Sequence, residues 1–154
     1  MKRLNPDYLE LVSKKVNGCP YFTLVSMDIT NFEWGQCRIE VVIQEKHLQP
    51  FGMVHGGVYS SLVDAAAFWA VYTQIDEDVG ITTVEIKLNY LNPASKGYMI
   101  AIGKIIRMGR TLCLGETSIE DERGRLLAYG TATMMILKDM KMQGNMELPP
   151  KFLE

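Results

Sequence analysis

The stretch "VHGGVYSSLVDAAAFWAVYTQI", from Val54 to Ile75, holds the residues best placed to do chemistry. It reads as a long apolar helix opened by two glycines, Gly56 and Gly57. Asp64 is the only Asp, Glu, Lys or Arg between Lys46 and Asp76. Two readings of Asp64 stand side by side. It is a structural carboxylate bonded to Ser60 or Ser61 one turn earlier, or facing a sliver of solvent. Alternatively it is a sheltered acid or base, since burial raises a carboxylate's pKa and an unpaired buried charge is costly. Composition alone does not separate the two.

The start of the helix favours the second. Two glycines let a ligand approach the backbone closely. The first turn of a helix carries N–H groups without intrahelical acceptors, at the positive end of the dipole. Such groups can polarise a carbonyl or hold an oxyanion. Asp64 lies two turns beyond Gly57, about 10 Å along the axis at a rise of roughly 1.5 Å per residue. A small acyl group lying along the helix would touch both. Carbonyl polarisation beside a carboxylate nucleophile or base is equipment for acyl transfer.

"HGGVYSSLVD", from His55 to Asp64, resembles the signature of hotdog-fold acyl-coenzyme A thioesterases of the phenylacetate-pathway and 4-hydroxybenzoyl-CoA type. In that group HGG is followed at this spacing by Asp or Glu. The resemblance runs from about Cys19 to Leu137 and includes Gln49, "TTVEIKLNYLNPASKG" and "AYGTATMMIL". It implies Asp64 as the catalytic carboxylate and the N–H of Gly56, with Gly57, as the holder of the thioester oxygen. Gln49 falls where relatives position the thioester or water. Thr83 falls where some relatives carry a Ser or Thr near the carboxylate, supplied by the neighbouring subunit. Gly109-Arg110 sits where relatives place a basic hairpin near the coenzyme A phosphates. Phe68 replaces a Thr used in one subfamily, so that role is not carried over.

Other candidates read more plainly. His55 lies nine residues before Asp64, at the far end of the helical stretch. A histidine there hydrogen-bonds nearby backbone, and the resemblance gives it a structural or positioning role beside the catalytic set. His47 and His55 complete no metal-ligand spacing. Ser60 and Ser61 lack the GxSxG context of a serine hydrolase. Tyr59, Phe68, Trp69 and Tyr72 read as core, with one or two left to line an acyl pocket.

These residues need a frame. The 154 residues suggest one domain, with hydrophobic residues at 47% and charged residues at 22%, an ordinary globular mix. The net charge of -2 offers no basic field for nucleic acid. No stretch has the length and uninterrupted apolarity of a signal peptide or a membrane span. Cys19, Cys37 and Cys113 read as free thiols in a reducing cytoplasm.

Asn5-Pro6-Asp7 opens a helix with Tyr8, Leu11, Val12 and Val16 on one face, ended by Asn17-Gly18. "YFTLVSMDI", Tyr21 to Ile29, reads as a strand, and "QCRIEVVIQ" alternates as a second. After the long helix, roughly Gly57 to Ile75, four strands follow, joined by short turns. In "TTVEIKLNYLN" the residues Val84, Ile86, Leu88 and Tyr90 alternate against Thr83, Glu85, Lys87 and Asn89. From Lys138 the chain reads as a mobile tail, since charge and prolines replace periodicity.

The expected fold is α+β: a hotdog, an antiparallel sheet curled around a long central helix. A helix apolar almost all round needs cover on most sides, so the sheet must wrap it or a second copy must complete it. The expected protein is a cytoplasmic homo-oligomer, a dimer or dimer of dimers. It hydrolyses an acyl- or aryl-CoA thioester with Asp64 as nucleophile or base and needs no separate cofactor. The rival readings are a non-catalytic acyl-CoA sensor and a hotdog enoyl-CoA hydratase.

Overall fold

A computed structural model describes residues 2–144 and 146–154. Strand β1 (Arg3–Leu4) leads into helix α1 (Pro6–Asn17). The Asn5 side chain caps it by accepting from the Asp7 N–H at 3.1 Å, and Tyr8, Val12 and Val16 are its buried face, as their spacing predicts.

The stretch expected to be a strand from Tyr21 is instead split. Pro20–Val25 forms a short helix, α2, and strand β2 begins only at Asp28 and runs to Glu33. Pro20 in the first turn presets helical φ. Phe22 then turns inward, and Ser26 stops the helix in the left-handed region at φ 57°. A run of six apolar and small residues has no period long enough to separate helix from strand.

Strand β3 (Gln36–Val42) buries Cys37, Ile39 and Val41 on alternate positions. After a 3₁₀ turn at Glu45–His47 comes the long helix α3 (Gly56–Tyr72). Four strands follow: β4 (Val79–Tyr90), β5 (Tyr98–Met108), β6 (Leu112–Glu120) and β7 (Leu126–Lys138). They join β2 and β3 in one antiparallel sheet of order β2-β3-β5-β6-β7-β4. The sheet wraps α3, which packs on β3, β4, β5, β6 and β7, and the fold is an α+β hotdog.

Small residues let the helix settle into the sheet. A Cβ on Gly103 of β5 would lie 2.0 Å from the Ala66 carbonyl oxygen, so the strand and the helix backbone touch directly there. Leu62, Val63, Ala66, Ala67, Ala70 and Val71 are buried against the sheet. The opposite strip of α3, through Ser60, Ser61, Asp64, Ala65, Phe68 and Trp69, is only half covered.

The end of the chain is docked, which corrects the reading of a mobile tail from Lys138. Strand β8 (Phe152–Leu153) pairs antiparallel with β1. Lys151 is fully buried, and its Nζ donates to the carbonyls of Tyr72 at 2.5 Å and Ile75 at 2.6 Å, at the end of α3. Its long aliphatic stem lies in the interior and its Nζ fills carbonyls left open at the end of the helix, which makes this a usable anchor. Among the described residues, no helix is long and apolar enough to cross a membrane.

Candidate active site

Asp64 sits on the half-covered strip of α3. Its Oδ1 accepts a 2.6 Å hydrogen bond from the Thr83 Oγ1 of the same chain. This corrects the expectation that Thr83 reaches the carboxylate from a neighbouring subunit. Ser60 and Ser61 are not its partners either: both hydroxyls donate to the Gly57 carbonyl, at 3.0 and 2.8 Å. That is the usual habit of a helical serine, bonding back to the previous turn.

A break in the β4–β7 pairing explains how Thr83 gets there. Thr83 pairs with Met134 and Glu85 with Thr133, so Val84 is an extra residue between them. Ile81 before the break is buried, while Ile86 after it lines the cavity at Asp64. The bulge thus puts Thr83 and Ile86 on one side of the sheet, although a strict period of two would separate them.

Asp64 and Ser61 give a polar edge to a cavity of about 400 Å³ whose other walls are Phe22, Met27, Phe68 and Trp69. Tyr21, from α2, bonds its hydroxyl to Ser61 Oγ at 2.6 Å across the rim. A carboxylate held by one oxygen at the edge of an apolar cavity leaves its second oxygen able to attack or to take a proton.

The start of α3 forms a second arrangement. His55 is the N-cap, and its Nδ1 accepts from the Gly57 N–H at 2.8 Å. The ring therefore occupies the Gly57 donor. No acceptor lies against the Gly56 N–H among the described residues. Of the two expected donors, Gly56 is the one left to meet a ligand. The Tyr90 hydroxyl donates to the Gly56 carbonyl at 3.3 Å, which fixes the turn from the β4 side.

Gln49 lines a cavity of about 400 Å³ together with Gly56, Tyr59, Tyr90 and Asn92. Its Oε1 accepts from the Phe51 N–H, leaving the amide NH₂ for other partners. In the same wall the Tyr59 hydroxyl is buried with no hydrogen-bond partner among the described residues, and burial pushes its phenol above the ordinary range. His47 is buried and spans Gln44 N–H and the Val25 carbonyl, at 2.9 and 2.7 Å, so it fastens the loop ahead of the HGG turn.

Asp64 and Thr83 thus belong to one arrangement and Gln49, His55 and Gly56 to another; the cavity lined by Asp64 does not reach Gly56, and the one lined by Gly56 does not reach Asp64. Arg110 and Gly109 lie in a third place, the β5–β6 turn, beside a cavity of about 470 Å³ shared with Arg107 and Thr133. A Cβ on Gly109 would lie 2.2 Å from the Leu112 carbonyl oxygen, which explains the glycine in that turn. Tyr21, Phe22, Met27 and Ile86 escaped the sequence reading. A helix at Pro20 would have pointed to Tyr21 and Phe22, and no local signal marks Met27 or Ile86.

Residues 51–128 match the family model described as the thioesterase superfamily. The chain is 30% identical over 117 residues to the 1,4-dihydroxy-2-naphthoyl-CoA hydrolase of Listeria monocytogenes, covering 76% of this chain and 95% of that one. It is 29% identical over 96 residues to acyl-coenzyme A thioesterase 13 of Mus musculus, covering 61% and 68%. A thioesterase family protein from Silicibacter pomeroyi has a similar structure, with a TM-score of 0.77 and 26% identity over 85% of this chain and 98% of that one. A thioesterase of Haemophilus influenzae shares the fold with a TM-score of 0.80, at 20% identity, over 88% and 94%. The chain belongs to the thioesterase superfamily. It is a thioester hydrolase.

Proposed function

We propose that the protein hydrolyses an acyl- or aryl-coenzyme A thioester to the free acid and coenzyme A, with Asp64 as the reacting carboxylate. The observation that carries this reading is the Thr83–Asp64 hydrogen bond at the edge of an apolar cavity on the open strip of α3. Thr83 holds one carboxylate oxygen, and the other faces the thioester carbon. As base, Asp64 takes a proton from water while the water oxygen bonds to that carbon. The C–S bond then breaks and the thiolate recovers the proton. As nucleophile, an Asp64 oxygen bonds to that carbon and the C–S bond breaks, so coenzyme A leaves as thiolate and a mixed anhydride remains; water then opens the anhydride, freeing the acid and the Asp64 carboxylate, and its proton goes to the thiolate. In both routes negative charge gathers on the carbonyl oxygen, where a backbone N–H such as that of Gly56 stabilises it.

The reading includes a homo-oligomer. Gly56 lies about 12 Å along the axis from Asp64, eight residues at roughly 1.5 Å each, and the two line different cavities. Strand β4 is a sheet edge carrying exposed Val84, Ile86 and Tyr90, with Leu91 just beyond it. An exposed apolar edge invites pairing with a second copy. Pairing along β4 sets Asp64 and Thr83 of one copy against Gly56 and Gln49 of the other. Gln49 then positions the thioester or water, and His55 keeps the turn in shape. Arg110, with Gly109 shaping its turn, meets the coenzyme A phosphates. Coenzyme A is part of the substrate, and the chemistry as written needs no further cofactor.

The test is thiol release from a panel of short, medium, long and aryl-CoA thioesters. Release from at least one supports the reading. Binding without release from any would replace it with an acyl-CoA sensor.

A further inference from the structure

The open strip of α3 continues past Asp64. Phe68 and Trp69, a turn further on, line the Asp64 cavity and also a second cavity of about 290 Å³. Their rings meet edge to face at 5.1 Å between centroids, and Trp69 meets Tyr72 in the same manner at 4.9 Å. The two spaces therefore lie in tandem along one helix, with an aromatic partition between them.

The walls of the second cavity include Tyr8, Tyr72, Met140, Met142 and Leu148. The tyrosine hydroxyls bond each other at 2.6 Å, so they make little demand on an occupant. The charged groups at its edge are engaged as well. Lys141 pairs with Asp78 at 2.8 Å, and Glu77 accepts the Lys151 N–H at 2.5 Å. What remains is a mainly apolar space with two methionines, side chains that adapt to irregular occupants.

Three of these wall residues come from the carboxy-terminal stretch, which lies outside the 51–128 region matched by the family model. That stretch is held in several places. Besides Lys151 on the end of α3, Asn5 Nδ2 donates to the Pro150 carbonyl at 2.7 Å and Lys15 Nζ donates to the Gln143 carbonyl.

We propose that the second cavity is a distal acyl subsite, and that the substrate class is a long, apolar fatty acyl thioester. The carbonyl end lies at Asp64, the chain passes the Phe68–Trp69 partition, and its end is buried against Met140, Met142 and Leu148. The docked chain end thereby sets which acyl length is held best. This rests on the reading of the protein as an acyl-CoA hydrolase.

The test compares kcat/KM of the full-length protein on butanoyl-, octanoyl-, hexadecanoyl- and benzoyl-CoA. Met142→Trp fills the distal space, and Leu148→Trp does so from another position should the first fail to fold. The parent should favour the longest chain. Each folded variant should lose about tenfold or more on hexadecanoyl-CoA while keeping butanoyl-CoA within a few-fold. The proposal is overturned if the parent cleaves butanoyl- or benzoyl-CoA but not hexadecanoyl-CoA, or if folded variants keep the parent's length profile. Absence of turnover on all four in parent and variants would instead remove the hydrolase reading, and this subsite with it.

Discussion

Lys151 offers the most quantitative check on how the chain end is held. It is fully buried, its ammonium lies 4.1 Å from the Tyr72 ring centroid, and it makes no ion pair among the described residues. Burial lowers its pKa from 10.5 to about 7, against the opposing pull of Asp76 and Glu77, with Lys2 adding slightly to the depression. The unfolded chain keeps the ordinary value. Below pH 7 both states are protonated, and the folded state carries the full penalty of a buried charge. Between 7 and 10.5 only the unfolded chain keeps the proton, so stability rises with pH. Above 10.5 the penalty is gone. A shift of that size is on the order of 5 kcal/mol, at about 1.4 kcal/mol per pH unit. From pH 7 to pH 9 the parent should gain roughly 2–3 kcal/mol relative to Lys151→Met, which cannot titrate. Denaturant unfolding of both proteins at each pH measures this. Taking the difference cancels Cys37 and Cys113, whose thiols burial pushes up in both. A parent–variant difference that stays flat across this range would refute the assignment of Lys151 as a neutral, buried anchor near pH 8.

Thr83→Val keeps the shape but removes the donor to Asp64. Losing a hydrogen bond to a charged group, about 1.5–3 kcal/mol, should lower kcat by roughly 10- to 100-fold with KM little changed, read from steady-state kinetics. Gly103→Ala drives a Cβ to within 2.0 Å of the Ala66 carbonyl oxygen. It should lower stability by about 1–3 kcal/mol or more in denaturant titrations. Mixing Asp64→Asn with a disabling change at Gly56, under subunit exchange, should restore about a quarter of the parent activity, since half the dimers carry one intact site. Mixing Asp64→Asn with Thr83→Val should restore none, because both changes strike the same half.

Most of the frame was legible from local signals. The Asn5-Pro6-Asp7 cap, the glycine-led apolar helix and the alternating strands mark their elements directly. Asp64 was legible because a lone acid in such a helix needs a reason. Its partner was not. The alternation of "TTVEIKLNYLN" places Thr83 opposite Ile86, and only the extra residue at Val84, a property of pairing with β7, reverses that. Helix α2 was misread because six residues give no period. Its two cavity residues, Tyr21 and Phe22, were lost with it, as was Met27 just beyond it. The docked end was misread because lysine and proline usually mark solvated chain. The site that buries Lys151 is built by residues 79 and 76 positions earlier, Tyr72 and Ile75.

The central claim is that Asp64 is the reacting carboxylate, and Asp64→Asn tests it most directly. Asn keeps the size and can still meet Thr83, but it is neither nucleophile nor base at neutral pH. On the best thioester found for the parent, thiol release should fall by about 10²–10⁴-fold, while the unfolding midpoint and substrate binding stay near those of the parent. A folded Asp64→Asn protein that still turns over within a few-fold of the parent would contradict the account.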